Sequence, residues 1–359
     1  MRNTADGRSG GHAIRYPVGG LEESDRPTAR PPGLSAIRPL TPVLVGPTAV
    51  GKTAVALALS QRLPVTIISA DARQVYRRLD IGTAKPLPAE RARVPHEGID
   101  LVDPGERFSA GRFAREAAGW LTAARAAGRL PLVVGGTGFY VRALADGLFH
   151  EPPLDPERRD QVREWTATLA GTDLSRWALR LDPRFSGGGR QRATRAIEVA
   201  LLTGRPLSLW QRMARVAGVM RPWYIVLTIP RELLRRRIAE RADAMLAAGF
   251  VEEVRAELAR GTAPTAAGLD GVGYREVVAM LTGQLHTDEL RDAIVRSSRQ
   301  YAKRQETWFR HQLRHRSSVI GSEEAVWTLD ATKPPEDLAE AIVVRWQTVQ
   351  DPMPTTDNR

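Results

Sequence analysis

The sequence predicts an α/β fold in which a parallel sheet carries helices on both faces and is interrupted by a helical insertion. Three observations lead there. Short apolar runs alternate with helical stretches, the pattern of strands buried on both faces. The first of these runs feeds a glycine-rich loop that opens a helix. Midway along the chain, an arginine-rich segment with helical apolar spacing breaks the alternation.

Residues 1–40 are rich in Gly, Pro, Arg and Ser without apolar periodicity and read as a disordered tail. Val43-Leu44-Val45 is the first strand run, and Ala54-Val55-Ala56-Leu57-Ala58-Leu59 starts the first helix. Between them stands Gly46-Pro47-Thr48-Ala49-Val50-Gly51-Lys52-Thr53, which fits G-x-x-x-x-G-K-[ST] in the strand–loop–helix setting that this motif requires. The core is therefore P-loop NTPase-like. Such a loop aims backbone N–H groups and a helix N-terminus at phosphate oxygens. Lys52 adds a point charge, and the Thr53 hydroxyl offers a ligand to magnesium.

Further strand runs are Val65-Thr66-Ile67-Ile68, Ile99-Asp100-Leu101-Val102, Leu132-Val133-Val134 and Trp223-Tyr224-Ile225-Val226-Leu227. Residues 155–221 read as the helical insertion, with Trp165, Leu169, Trp177 and Leu181 as its apolar positions. They divide a catalytic core at 41–154 and 222–316, and residues 317–359 read as a C-terminal strand and helix ending in a polar tail.

The chain has 359 residues, 42% of them hydrophobic, enough to bury at least one full core. It has no cysteine, which excludes disulfides, thiolate nucleophiles and Cys-type zinc sites. No apolar run approaches the roughly 20 residues of a membrane span, and the first 40 residues lack a signal-peptide core. A cytoplasmic location is expected. The net charge of +11 is concentrated. Asp155–Arg221 holds 13 arginines against 7 acidic residues, and Arg291–Arg316 holds 8 basic against 2 acidic. Such concentration favours a polyanionic partner over a generally basic surface.

In an open parallel sheet, ligands bind beyond the carboxyl ends of the strands. There the second strand runs into Ser69-Ala70-Asp71-Ala72-Arg73-Gln74-Val75-Tyr76, and a later one into Gly135-Gly136-Thr137-Gly138-Phe139-Tyr140. Alone, Asp71 is equally well a helix cap and Thr137 a turn residue. Their convergence beside a P-loop favours chemistry. Near the C-terminus, Arg296, Arg299, Lys303 and Arg310 share a helix face, while Ile294, Tyr301 and Trp308 form a row that packs the helix down.

Several blocks resemble the tRNA dimethylallyltransferase (isopentenyltransferase) family, in order from about Val43 to Arg310. They are Asp71–Tyr76 with Asp80-Ile81-Gly82-Thr83-Ala84-Lys85-Pro86, Gly135–Gly138, Arg195-Ala196-Ile197-Glu198-Val199 with Leu202–Pro206, Gly271–Glu276, and Arg299–Gln305. The chain departs from the pattern at Ala72, where Ser is usual, at Gly188-Gly189 in place of Asn-Asp, and at His96-Glu97 in place of a His pair.

The resemblance implies transfer of a dimethylallyl group from its diphosphate to the exocyclic amine of the adenine just 3′ of a tRNA anticodon. The P-loop would then hold an isoprenoid diphosphate, with Lys52 and Mg2+ neutralising the leaving group. Asp71 would take the amine proton, and Thr137 would donate a hydrogen bond to the bridging oxygen. The anticodon stem-loop would lie against Asp71, Ala72, Arg73, Gln74 and Thr137, and against Arg159, Gln191, Arg192 and Arg195. Gly273, Tyr274, Arg275, Lys303, Arg304, Gln305 and Arg310 complete that set. The partners implied are tRNA and dimethylallyl diphosphate, with no membrane, and the protein is expected to act as a monomer.

Three other readings share parts of this pattern: a P-loop kinase or NTPase, a prenyl transferase acting on free AMP or ADP, and a non-enzymatic RNA-binding module. The arginine-rich insertion and Lys303-Arg304-Gln305 argue against the first, the two long basic segments against the second, and the third would bind RNA yet form no product with dimethylallyl diphosphate.

Overall fold

The computed structural model describes residues 38–149, 154–213, 217–319 and 325–350. The expected disordered tail, except for its last three residues, and the polar tail from 351 onward lie outside the described residues. The first half of the chain forms β1 (Leu40–Val45), α1 (Lys52–Ser60), β2 (Val65–Ser69), α2 (Pro88–Arg93), β3 (His96–Glu97), α3 (Ala110–Ala126), β4 (Leu130–Gly135) and α4 (Gly138–Asp146). Four helices follow: α5 (Pro156–Thr168), α6 (Gly171–Leu181), α7 (Arg190–Thr203) and α8 (Leu207–Met213). The chain then re-enters the sheet with β5 (Arg221–Thr228) and continues as α9 (Arg231–Ala247), α10 (Phe250–Ala259), α11 (Tyr274–Leu281) and α12 (Leu290–Val319). Last come β6 (Val326–Asp330) and α13 (Pro335–Gln350).

The sheet order is β3-β2-β4-β1-β5-β6, and every pairing is parallel. Strand side chains alternate between faces, so each strand feeds two cores. Val43, Val45, Ile68 and Val133 pack with α3, α4 and α9–α12. Leu44, Ile67, Leu132, Val134 and Ile225 pack with α1 and α13. The register sets Val45 beside Gly135 and Ser69 beside Val134, so β1, β2 and β4 end at one level. Among the described residues, no helix is long and apolar enough to cross a membrane.

Two expectations need correction. The third strand is His96–Glu97, and Ile99–Val102 is loop apart from a single bridge between Val102 and Tyr76. Gly98 ends the strand at a left-handed φ of 83°, pressed so close to the Ser69 carbonyl that an added Cβ would lie 2.6 Å from it. Asp100 is also left-handed (φ 57°), which breaks the extended backbone that a strand requires.

In the inserted helices, the core is Leu174, Ala178, Ala193, Ala196 and Ile197, with Leu169 and Leu181 against it. Trp165 and Trp177 are not buried there. They are 37% and 38% exposed and meet edge to face with centroids 5.6 Å apart. Three alanines let α6 and α7 approach closely, leaving no volume for an indole between them.

Candidate active site

The loop after β1 is built to turn sharply. Gly46 has φ 152°, and a Cβ there would lie 2.7 Å from the Leu227 carbonyl; Ala49 and Gly51 are left-handed at 64° and 109°. Gly51 caps α1, whose first residues Lys52 and Thr53 present the helix N-terminus to a cavity of about 390 Å3. Lys52 Nζ donates to the carbonyls of Gly46 (2.9 Å) and Pro47 (2.8 Å), which aims the ammonium along the loop. Burial lowers the Lys52 pKa to about 8, with Arg241 adding to the effect and Asp71 opposing it.

The cavity is walled by residues from the P-loop, from β2, β3 and β4 or their ends, and from α9 and α12. Thr48, Ala49, Gly51, Lys52 and Thr53 come from the P-loop, Asp71 and Gln74 follow β2, and Gly135 ends β4. Arg237 and Arg241 reach in from α9, and Tyr301 and Gln305 from α12. Asp71 Oδ1 accepts the Arg73 N–H (2.8 Å), which holds the carboxylate at the head of its turn. Thr137 opens α4 just behind. Its hydroxyl accepts the Ala72 N–H (3.0 Å) and lies close enough to the Tyr301 hydroxyl to influence its titration.

The residues expected to face RNA divide into two kinds. Gln191, Arg192, Arg275, Lys303, Arg304 and Arg310 are exposed. The others are engaged within the protein. Arg73 pairs with Asp270 and donates to the Ala267 carbonyl (2.8 Å). The Gln74 amide accepts from Ser69 Oγ (2.7 Å) and donates to the Ala84 carbonyl (3.2 Å). Gly273 is left-handed (φ 90°) with its N–H on Glu276 (2.7 Å). Tyr274 is buried with its hydroxyl on Glu253 (2.7 Å). Arg159, Arg163 and Arg195 converge on the buried Glu198 at 3.4, 2.5 and 3.0 Å. Gln305 is 6% exposed and bonded at both ends of its amide.

This geometry has counterparts among known proteins. The IPP transferase family pattern matches residues 74–312, and the Isopentenyl transferase pattern matches residues 41–97. The tRNA dimethylallyltransferase of Syntrophobacter fumaroxidans is 44% identical over 273 residues, covering 75% of this chain and 80% of that one. The chain belongs to the tRNA dimethylallyltransferase (IPP transferase) family. The enzyme of the same name from Halorhodospira halophila is 46% identical over 276 residues, 75% of this chain and 89% of that one. Among solved structures, the tRNA isopentenylpyrophosphate transferase of Bacillus halodurans aligns with a TM-score of 0.60 at 31% identity, covering 87% of this chain and 98% of that one. A eukaryotic dimethylallyltransferase acting on tRNA aligns at a TM-score of 0.68 and 24% identity, which speaks to the fold alone, and covers 89% of this chain and 81% of that one.

In this IPP transferase, three cavity residues are not marked as site residues by the sequence motifs. Arg237 and Arg241 stand at i and i+4 of α9, but Arg235 and Arg236 beside them make the spacing ambiguous. Tyr301 was expected only to pack its helix; its half-buried ring lines the cavity and brings its hydroxyl to Thr137.

Proposed function

We propose that Asp71, Lys52 and Thr137 carry out dimethylallyl transfer from its diphosphate to the exocyclic amine of the adenine on the 3′ side of a tRNA anticodon. The observation that carries this reading is the convergence of the P-loop, the Asp71 carboxylate and Tyr301 on one cavity at the ends of β1, β2 and β4, with Thr137 just outside its wall, bonded to the Ala72 N–H. The amine nitrogen attacks the allylic carbon while that carbon's bond to the diphosphate oxygen breaks. The amine proton passes to Asp71, and the electron pair leaves with the diphosphate. Lys52 and Arg241 meet the charge that develops on it. The Thr137 hydroxyl, backed by Tyr301, donates toward the bridging oxygen. An adenine amine is a weak nucleophile, so positioning and charge stabilisation supply most of the rate.

Thr53 fits a magnesium ion, because it brings a hydroxyl-bearing residue to the cavity that Lys52 and Asp71 also line. Mg2+ takes one or two protein oxygens and draws its remaining ligands from phosphates and water. When bound, it would neutralise charge on the diphosphate. The tRNA would lie along the exposed basic positions of α7, α11 and α12, with the target base leaving its stack to enter the cavity.

The deciding assay offers radiolabelled dimethylallyl diphosphate with tRNA, and AMP and ATP as competing acceptors. Label should enter tRNA alone. Label in AMP would move the assignment to the adenylate enzymes, and ATP turnover without transfer would move it to a kinase.

A further inference from the structure

Helix α12 has two working faces. Lys303, Arg304 and Arg310 are exposed, whereas Tyr301, Gln305 and Trp308, at i, i+4 and i+7, turn toward the ends of β1 and β4. Gln305 lies at the centre of the inner face. Its Oε1 accepts the Thr48 N–H at 2.8 Å, and its Nε2 donates to the Gly136 carbonyl at 3.0 Å. The loops so joined differ in function. Thr48 belongs to the P-loop that leads to Lys52, and Gly136 directly precedes Thr137.

The fit is close enough to explain two glycines. A Cβ on Gly136 would lie 2.1 Å from Gln305 Nε2, and one on Gly138 would lie 2.1 Å from the Trp308 ring. Both residues have ordinary backbone angles, so their lack of a side chain serves the approach of α12 and not a turn.

Resting on the prenyl-transfer reading, we infer that Gln305 is a positioning residue for the departing diphosphate. One buried amide sets the separation between the loop carrying Lys52 and the loop carrying Thr137, so that both meet the same leaving group. Donors of this kind act only when preorganised at the place where charge develops. A displacement near 1 Å can cost about 100-fold in rate.

The test uses the full chain with Gln305→Met, which matches the length and loses both bonds, and Gln305→Asn, which keeps an amide too short to reach both loops. Expected in each is a fall in kcat of about 100-fold at saturating tRNA and dimethylallyl diphosphate, with KM for tRNA changed less than about threefold. Binding of inorganic diphosphate, measured by calorimetry, should weaken in parallel. A kcat per folded molecule within about threefold of wild type in either folded variant overturns the inference, as does a loss confined to KM for tRNA, which would make Gln305 an RNA contact. If Gln305→Met fails to fold, Gln305→Asn decides. Wild-type protein that modifies no tRNA would refute the prenyl-transfer reading and this inference with it. By contrast, active wild type with indifferent variants refutes the inference alone.

Discussion

Asp71 and Lys52 face one cavity with opposite tasks, and each task predicts a distinct failure. Asp71→Asn keeps the shape of the turn and removes the proposed base. Turnover should fall about 100-fold or more with diphosphate affinity little changed; near-normal turnover would remove Asp71 from the mechanism. In the proposed role Lys52 holds diphosphate as an ammonium, and its pKa is lowered to about 8 by burial. Protonated below that value and neutral above it, Lys52 should let inorganic diphosphate bind progressively more weakly as pH rises through about 8. A lysine of ordinary pKa would hold its ligand to near pH 10. Flat binding up to pH 10 would contradict this environment. Lys52, Thr53 and Asp71 were legible in the sequence because each sits at a fixed offset from a strand end. Tyr301 and Arg241 were not, because they enter from helices far downstream in the sequence whose docking no local pattern encodes.

At the scale of elements, the inserted helices α5 and α7 are joined by Glu198. Burial alone would raise its pKa; hydrogen bonds from Arg163 and Arg195 outweigh that and hold it below the usual range. A carboxylate with a lowered folded pKa lends stability above its unfolded value, and that stability is lost as pH falls through the folded one. The insertion should therefore loosen in acid, below the ordinary glutamate value of 4.5. Glu198→Ala should cost on the order of 3 kcal/mol by leaving clustered arginines uncompensated. Urea titration checks this, and an unchanged midpoint would show the cluster to be neutral in energy. The misplaced third strand and the exposed tryptophans are failures at the same scale. Gly98 reads as an ordinary loop glycine until Ser69 is seen against it, and an alanine-lined interface looks apolar-poor beside two indoles.

At the scale of the whole molecule, the surplus charge should govern RNA affinity. Arg192, Arg299 and Lys303 are exposed, whereas Arg195 is held on Glu198. Neutralising an exposed phosphate contact makes the slope of log affinity against log salt shallower by up to about 1. Arg299→Ala and Lys303→Ala should do so while leaving diphosphate binding intact. Arg195→Ala should chiefly lower the urea midpoint. Equal slopes across all variants would take α12 off the RNA path. The alternation of strands and helices foretold the parallel sheet, but not its order, since any strand run of this composition pairs equally well with any other.

The pairing of β1 with β5 sets Leu40 beside Arg221, so a single strand contact closes everything between them into one loop. The entropy of closing a flexible loop grows only with the logarithm of its length, about 0.6 kcal/mol for each doubling. Lengthening the segment between Asp146 and Arg221 should thus burden the sheet very little. The central strands can stay as they are while that segment is enlarged, trimmed or exchanged, which makes it the natural place for evolution, or an engineer, to graft recognition of a differently shaped RNA.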